Sequence, residues 1–237
     1  MAENVPIVGV SLGHRHERTA ISVTERAYVP TGETFTAFRY DHASRRQTFE
    51  AREGVSLQYQ VRHLERMGPP ARYSEVAGRV SEVVRKIGRS VVLVVDVTAT
   101  GRPVYSLILK ELAGALKNAP ISAKPCPITV SGVAGGVSRS PDVGYLVPRR
   151  DLISAAQILF DGGGLKIAEG LDLARTLTDE LVAFKPKAHK PDDLEGWRER
   201  PHDDLVLAVA TSVWAAERFM RKAESRPVGD EFVRNTA

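Results

Sequence analysis

The run VVLVVD, Val91–Asp96, constrains the fold of this chain more than any other stretch of its sequence. Five consecutive β-branched or aliphatic residues without a polar alternation predict a central parallel strand that is buried on both faces. Parallel strands need helical connections, and helical apolar spacing follows on both sides of the run. Apolar residues at helical spacing predict one helix over residues 74–87, ended by Gly88, and a second helix that begins at Pro103. The chain is therefore expected to be an α/β protein.

The amino-terminal third is predicted to form further strands of the same sheet. Residues 7–13 alternate, with Val8 and Val10 on one face and Ile7 and Ser11 on the other. The other β-prone segments are residues 19–27, 34–41, 57–65 and 128–130. The short interval between the first two strands indicates an antiparallel hairpin, so the sheet is expected to be mixed, with helices on its faces.

The last third is predicted to be helical, over residues 152–160, 171–184 and a final helix from about residue 202. That final helix is apolar nearly all round between residues 205 and 216, so it should be buried. A length of 237 residues suits one large domain. We expect that domain to span residues 1–225 and residues 226–237 to form a flexible tail.

Composition excludes several classes of protein. A single cysteine rules out a disulfide scaffold and a cysteine-based zinc cluster. The longest apolar run is shorter than the ~20 residues of a membrane span, and the first residues do not resemble a signal peptide. We therefore expect a soluble, cytoplasmic protein with no membrane partner. A net charge of +4 suits a polyanionic partner, although many proteins that bind no nucleic acid have the same charge.

Carboxylates stand at two informative positions of the predicted elements. Asp96 ends the buried strand, where open α/β sheets place their ligands, although it would equally suit a turn residue that caps the strand. Asp203 and Asp204 open the apolar final helix, where each would also interact favourably with the helix dipole. Taken together, these acids are typical of a site for a hard divalent cation such as Mg²⁺.

The chain resembles the nuclease domain of phage large terminase subunits, a branch of the ribonuclease H-like superfamily, over about residues 7–214. The resemblance lies in ordered motifs: VGVSLGHRHERTAIS, VVDVTATGRPV, CPITVSG and GWRERPHDDLVLAVATSVWAAER. It implies a ribonuclease H-like mixed sheet with flanking helices and phosphodiester cleavage of double-stranded DNA. It also implies two Mg²⁺ or Mn²⁺ ions, held by acids of the first strand, the fourth strand and the last helix.

The resemblance assigns site residues position by position. Asp96 matches the second acid, and Asp203 and Asp204 match the third. Ser11 stands where the family has its first-strand Asp, and a neutral hydroxyl is a poorer ligand than a carboxylate. Glu17 lies where the family often has a further acid. The resemblance therefore implies a two-metal site that is incompletely occupied.

Basic and imidazole side chains supply further candidates. Arg149, Arg150, Lys185 and Lys187 are candidate contacts to a DNA backbone, or else part of a solvated face. His14 and His16 fit exposed loop positions better than the metal cleft.

Three functional hypotheses follow from these residues. The preferred one is a terminase-like, metal-dependent DNA endonuclease module of phage or prophage origin. It would act in the bacterial cytoplasm, with a separate packaging ATPase or portal as partner, because the chain has no phosphate-binding G-x-x-x-x-G-K-[ST] motif. A catalytically degenerate DNA-binding or packaging-accessory protein is favoured by Ser11 and by that missing motif. A resolvase-like junction nuclease would be favoured by a dimer.

Overall fold

The sheet of the computed structural model is mixed, as the sequence predicts. The structure describes residues 5–13, 17–41, 44–68, 71–98, 101–132, 135–140, 144–183, 203–219 and 231–233. The strands of this part of the chain are β1 Pro6–Ser11, β2 Thr19–Asp41, β3 Arg46–Met67, β4 Val91–Asp96, β5 Ala123–Ser131, β6 Ser138–Ser140, β7 Gly144–Pro148, β8 Leu165–Ile167 and β9 Glu231–Val233. The helices are α1 Tyr73–Ile87, α2 Gly101–Leu116, α3 Arg149–Asp161, α4 Ala174–Ala183 and α5 Asp204–Phe219.

The strands lie in the order β6-β7-β5-β4-β1-β2-β3-β8, and β9 pairs with β2. The apolar run predicted to be central is β4, which is parallel to both β1 and β5. The expected antiparallel hairpin joins β1 to β2. The strand that carries Ser11 and the strand that carries Asp96 are therefore neighbours, as the ribonuclease H-like resemblance implies.

Two apolar layers cover the two faces of this sheet. Side chains such as Val8 and Val10 pack in the layer formed with α1 and α2. Side chains such as Ile7 and Val94 pack in the opposite layer, which contains α5. Almost every residue of α5 between Asp204 and Ala216 is buried, as its all-round apolar sequence predicts. Each face of the sheet is thus closed by helices, and the candidate site lies on the α5 face.

Gly9 lets α5 lie directly on β1. A Cβ atom on Gly9 would stand less than 3.0 Å from the backbone oxygen of Ala208, closer than real Cβ atoms approach other atoms. The same backbone oxygen accepts a hydrogen bond of 2.8 Å from the Ser22 hydroxyl of β2. This close approach fixes the position of the helix whose first turn carries Asp204.

The hairpin strands are longer than the sequence pattern predicts. Residues 19–27 and 34–41, expected as separate strands, form the single strand β2 because a register shift between Pro30 and Thr34 keeps the two halves paired with β3. Gly32 adopts a φ of 77° within this irregular stretch, which glycine tolerates without a steric penalty. The short strands β6 to β9 were not predicted, since three to five residues carry too little periodicity. No helix in the described ranges is long and apolar enough to cross a membrane.

Candidate active site

Ser11 and Asp96 occupy paired positions at the ends of β1 and β4. The two strands are parallel, and Ser11 is the register partner of Asp96. Neighbouring strands are about 4.8 Å apart, so the two side chains stand side by side. Ser11 lies four residues after Ile7 and Asp96 two residues after Val94, so each shares the face of a residue in the α5-side layer and faces α5. Only 6% of Ser11 and 9% of Asp96 are exposed.

Thr98 fixes the orientation of the Asp96 carboxylate. The backbone N–H of Thr98 donates to Asp96 Oδ1 over 2.9 Å, and the Thr98 hydroxyl donates to the same oxygen. The backbone N–H of Val130 in turn donates to the Thr98 hydroxyl over 2.7 Å, which ties the arrangement to β5. Within the described part of the chain, the second oxygen, Asp96 Oδ2, accepts no hydrogen bond and remains available to a ligand.

Burial raises the pKa of Asp96 above its ordinary value. The hydrogen bonds from Thr98 and the positive charge of Arg149 act against this shift, while the negative charge of Glu17 adds to it. Because the pKa of Asp96 remains raised, the nearby positive charge does not compensate for the cost of burying the ionised carboxylate. A further cation at this position would therefore stabilise the ionised form of Asp96.

Arg149 connects Asp96 with the start of α5. It is the first residue of α3, directly after β7. Its guanidinium donates a hydrogen bond to the Asp203 carboxylate. The same guanidinium interacts electrostatically with Asp96 and Glu17. The carbonyl of Asp203 accepts a hydrogen bond of 2.9 Å from Leu207, the first helical bond of α5. Arg149, a predicted DNA contact, is thus placed among the acids, at a position that only the fold reveals.

A second arginine holds Asp204. Arg66 of β3 donates from Nε to Asp204 Oδ2 over 2.6 Å, and its Nη2 donates to Glu180 Oε1 of α4. All three side chains are buried, with 11% of Arg66 and 9% of Glu180 exposed. Burial raises the pKa of Glu180, and the hydrogen bond and charge of Arg66 lower it only in part.

The sequence did not single out Arg66 or Glu180, although a signal existed for one of them. Glu180 lies three residues after Leu177 and directly before Leu181, both fully or almost fully buried, so helical spacing places it on the buried face of α4. A carboxylate on a buried face needs a cationic partner. Arg66 gave no such signal, because its partners are more than 100 residues away in sequence.

The other candidate residues are placed differently. Arg150 is exposed. Lys185, Lys187, His14 and His16 lie outside the described residues. Glu17, the suggested further acid, is exposed and acts electrostatically on both Asp96 and Arg149, which sets it at the edge of the same cluster.

The acids of this cluster can hold a divalent cation only with help from other ligands. Among the described residues, no group of three His, Cys, Asp or Glu side chains could hold a metal ion. Mg²⁺ commonly uses one or two carboxylates and completes its octahedron with water and substrate phosphates. The available oxygen of Asp96, with Asp203, to which Arg149 links it, fits that smaller donor set.

Solved structures with a similar fold are viral nuclease domains. The human cytomegalovirus terminase nuclease domain has a TM-score of 0.55 at 11% sequence identity, with 98% of this chain and 88% of that chain covered. The fold is that of a terminase nuclease domain. A Mn-soaked form of the same viral domain has a TM-score of 0.53 at 12% identity and covers 96% of this chain and 87% of its own.

The large terminase nuclease from thermophilic phage G20c is also similar, with a TM-score of 0.47, 18% identity, and coverage of 90% of this chain and 82% of that chain. No protein-family model and no curated protein matches the chain. The likeness to the cytomegalovirus domain shows the fold alone, since the sequence identities are 11% and 12%.

Proposed function

We propose that this chain is a divalent-metal-dependent DNA endonuclease module of the terminase type. The observation that carries the proposal is the register pairing of Ser11 with Asp96 and its link, through Arg149, to Asp203 at the start of α5. The terminase nuclease fold and the Mn-soaked form of its viral neighbour support a metal-dependent phosphodiester hydrolase.

Asp96 and Asp203 would be the main metal ligands, with Asp204 as a further ligand once it leaves Arg66. Bound Mg²⁺ or Mn²⁺ supplies an activated water and stabilises the leaving oxygen. Thr98 keeps the available oxygen of Asp96 in one orientation, which lowers the cost of ordering that ligand. Ser11 contributes no charge, so the proposed site is weaker than one with an aspartate on the first strand.

The arginines have a role of their own in this proposal. Arg149 and Arg66 neutralise Asp203 and Asp204 at the start of α5 in the metal-free protein. Either guanidinium, once released, is positioned to bind a DNA phosphate bidentately. Double-stranded DNA would be the substrate, and a packaging ATPase or portal carried on another chain would be the partner.

A DNA-binding accessory protein without nuclease activity is the second candidate. Two observations favour it: Ser11 is neutral, and both Asp203 and Asp204 are already paired with arginines. For both candidate functions we expect DNA affinity to fall about tenfold or more between 50 and 200 mM salt, since basic side chains would neutralise several phosphates. Cleavage separates them.

Plasmid nicking with matched variants tests the proposal. We expect Ser11→Asp to raise the nicking rate of supercoiled DNA in Mn²⁺ roughly tenfold or more, because the added carboxylate restores a ligand for both ions. Asp96→Ala in that background should abolish nicking. Asp172→Ala, which removes an exposed acid of the segment before α4, should leave the rate unchanged. EDTA should stop every active variant.

Two results would contradict the proposal. If Ser11→Asp and the natural chain bind DNA but neither nicks it in Mg²⁺ or Mn²⁺, the accessory candidate replaces the nuclease. If Asp96→Ala nicks as fast as its Ser11→Asp parent, the site has been placed wrongly.

A further inference from the structure

A cavity of about 810 Å³ opens beside β5, between α2 and the end of α5. Its size falls within the range of small-ligand sites. Its lining runs from Thr98, which holds Asp96, to Lys124 near the start of β5. The five-residue step along β5 from Thr129 to Lys124, which both line the cavity, spans about 17 Å. The cavity therefore leads away from the candidate active site along the sheet.

Among the described residues that line this cavity, the charged side chains are all cations: Arg102, Lys124 and Arg139. A fourth basic group on the same side, Arg218 of α5, stacks against the rings of Tyr145 and Trp214. The charges of Lys124, Arg139 and Arg218 all act on the thiol of Cys126, which lines the cavity, so these three cations converge on one place.

Aromatic rings hold the three cations in position. Lys124 Nζ lies 5.6 Å from the centre of the Phe219 ring, and the Arg139 guanidinium lies 5.4 Å from the centre of the Tyr145 ring. The Arg218 guanidinium lies 5.0 Å from the same Tyr145 ring. Such contacts leave the N–H groups of a cation free to bind an anion.

These cations differ in their partners from the arginines of the candidate active site. Within the described ranges, Lys124, Arg139 and Arg218 make no salt bridge, whereas Arg66 and Arg149 both do. Three convergent and uncompensated cations repel one another, and an anion in the cavity would remove that cost. The arrangement is therefore complementary to a ligand with several negative charges.

We propose that this cavity binds a single nucleic-acid strand through its phosphates, with Lys124 and Arg139 as the main contacts. The identity of the ligand as DNA rests on the proposed nuclease function, in which the cavity would take an unpaired end of one strand of the duplex substrate beyond the cleavage position. A cavity of this volume is too small for a duplex, and its length exceeds what one isolated phosphate requires. The aromatic rings at its walls, Tyr105 among them, suit a strand whose bases are unpaired.

Strand binding in EDTA tests this assignment without any cleavage. The variant Lys124→Ala/Arg139→Ala is compared with Arg85→Ala/Lys110→Ala, which removes two exposed cations from α1 and α2. The probe is a short fluorescein-labelled oligothymidylate followed by anisotropy. We expect the cavity variant to bind roughly tenfold more weakly. Its slope of log affinity against log salt should be smaller by about 1.4, or 0.7 for each lost phosphate contact.

Cys126 localises the bound strand, because it is the only cysteine of the chain. Burial raises the pKa of its thiol to about 11, so its alkylation by iodoacetamide is followed at alkaline pH by intact mass. Saturating oligothymidylate should slow this reaction several-fold in the natural chain and have no such effect in the cavity variant.

Three results would overturn the cavity assignment: equal losses of affinity in the two double variants, no protection of Cys126, or equal competition by a duplex of the same length. The two proposals fail separately. If no variant nicks DNA but strand binding depends on Lys124 and Arg139, the nuclease proposal fails and the cavity assignment stands. If Ser11→Asp nicks DNA while both double variants bind the strand equally, the reverse holds.

Discussion

Gly9→Ala tests the contact on which the geometry of the candidate site depends. The new methyl group would overlap the backbone oxygen of Ala208 and would lie 3.0 Å from the hydroxyl oxygens of Ser22 and Thr211. Backbone cannot rotate away as a side chain can, so α5 would have to move. Overpacking of this kind costs about 1–3 kcal/mol, and loss of the hydrogen bond from Ser22 to Ala208 adds about 1 kcal/mol.

We therefore expect Gly9→Ala to lower the free energy of unfolding by about 3 kcal/mol, which corresponds to a fall in Tm of roughly 6–12 °C for a chain of this size. Urea unfolding followed by circular dichroism measures the first quantity and calorimetry the second. The matched control is Gly78→Ala in α1, where a methyl group meets no atom within 4 Å and better helix propensity should stabilise by about 1 kcal/mol. A Gly9→Ala protein as stable as the natural chain would mean that α5 does not lie on β1.

Two further outcomes follow from the charges of the site. Arg66→Met leaves Asp204 and Glu180 buried without a cation, so the free energy of unfolding, measured in urea without metal, should fall by about 3–5 kcal/mol. The control Arg62→Ala on the same strand breaks an exposed ion pair and should cost less than about 1 kcal/mol. Equal losses in the two variants would contradict the buried network. Mn²⁺ should raise the Tm of Ser11→Asp more than that of the natural chain, because the new carboxylate adds a metal ligand. Equal shifts in Tm for the two proteins, measured by differential scanning fluorimetry, would show that position 11 does not face the metal.

The centre of the fold was predictable because local pattern and tertiary environment agree there. A strand buried on both faces must be apolar, and the sequence of Val91–Asp96 meets this requirement up to its last residue. The helices predicted on either side of it indicate that its neighbouring strands are parallel, as β1 and β5 are. The alternation of β1 likewise assigned Ile7 and Val8 to opposite layers correctly. The extent of β2 was not predictable, since its irregular stretch around Gly32 has the sequence pattern of a turn, and β2 is continuous only because the residues on both sides of that stretch pair with β3.

The candidate site was predictable only as far as its acids. Asp96 and Asp203 stand at element ends that the sequence marks clearly. Arg149 looked like any surface cation, because nothing in the sequence indicates that the start of α3 lies beside the start of α5. Charge pairing between distant segments carries no periodic signal, so the arginines that neutralise the site had to come from the structure.

Ser11 and the two arginines make sense together as one electrostatic arrangement. Two guanidinium groups, Arg66 and Arg149, face five carboxyl groups in the cluster, namely Glu17, Asp96, Glu180, Asp203 and Asp204. The carboxyl groups thus outnumber the guanidinium groups, and burial already raises the pKa of Asp96. A further carboxylate at position 11, one strand away from Asp96, would increase that excess in the metal-free protein. In the proposed metal site, serine at this position would therefore favour the metal-free fold and weaken metal binding, because both effects would have the same electrostatic cause.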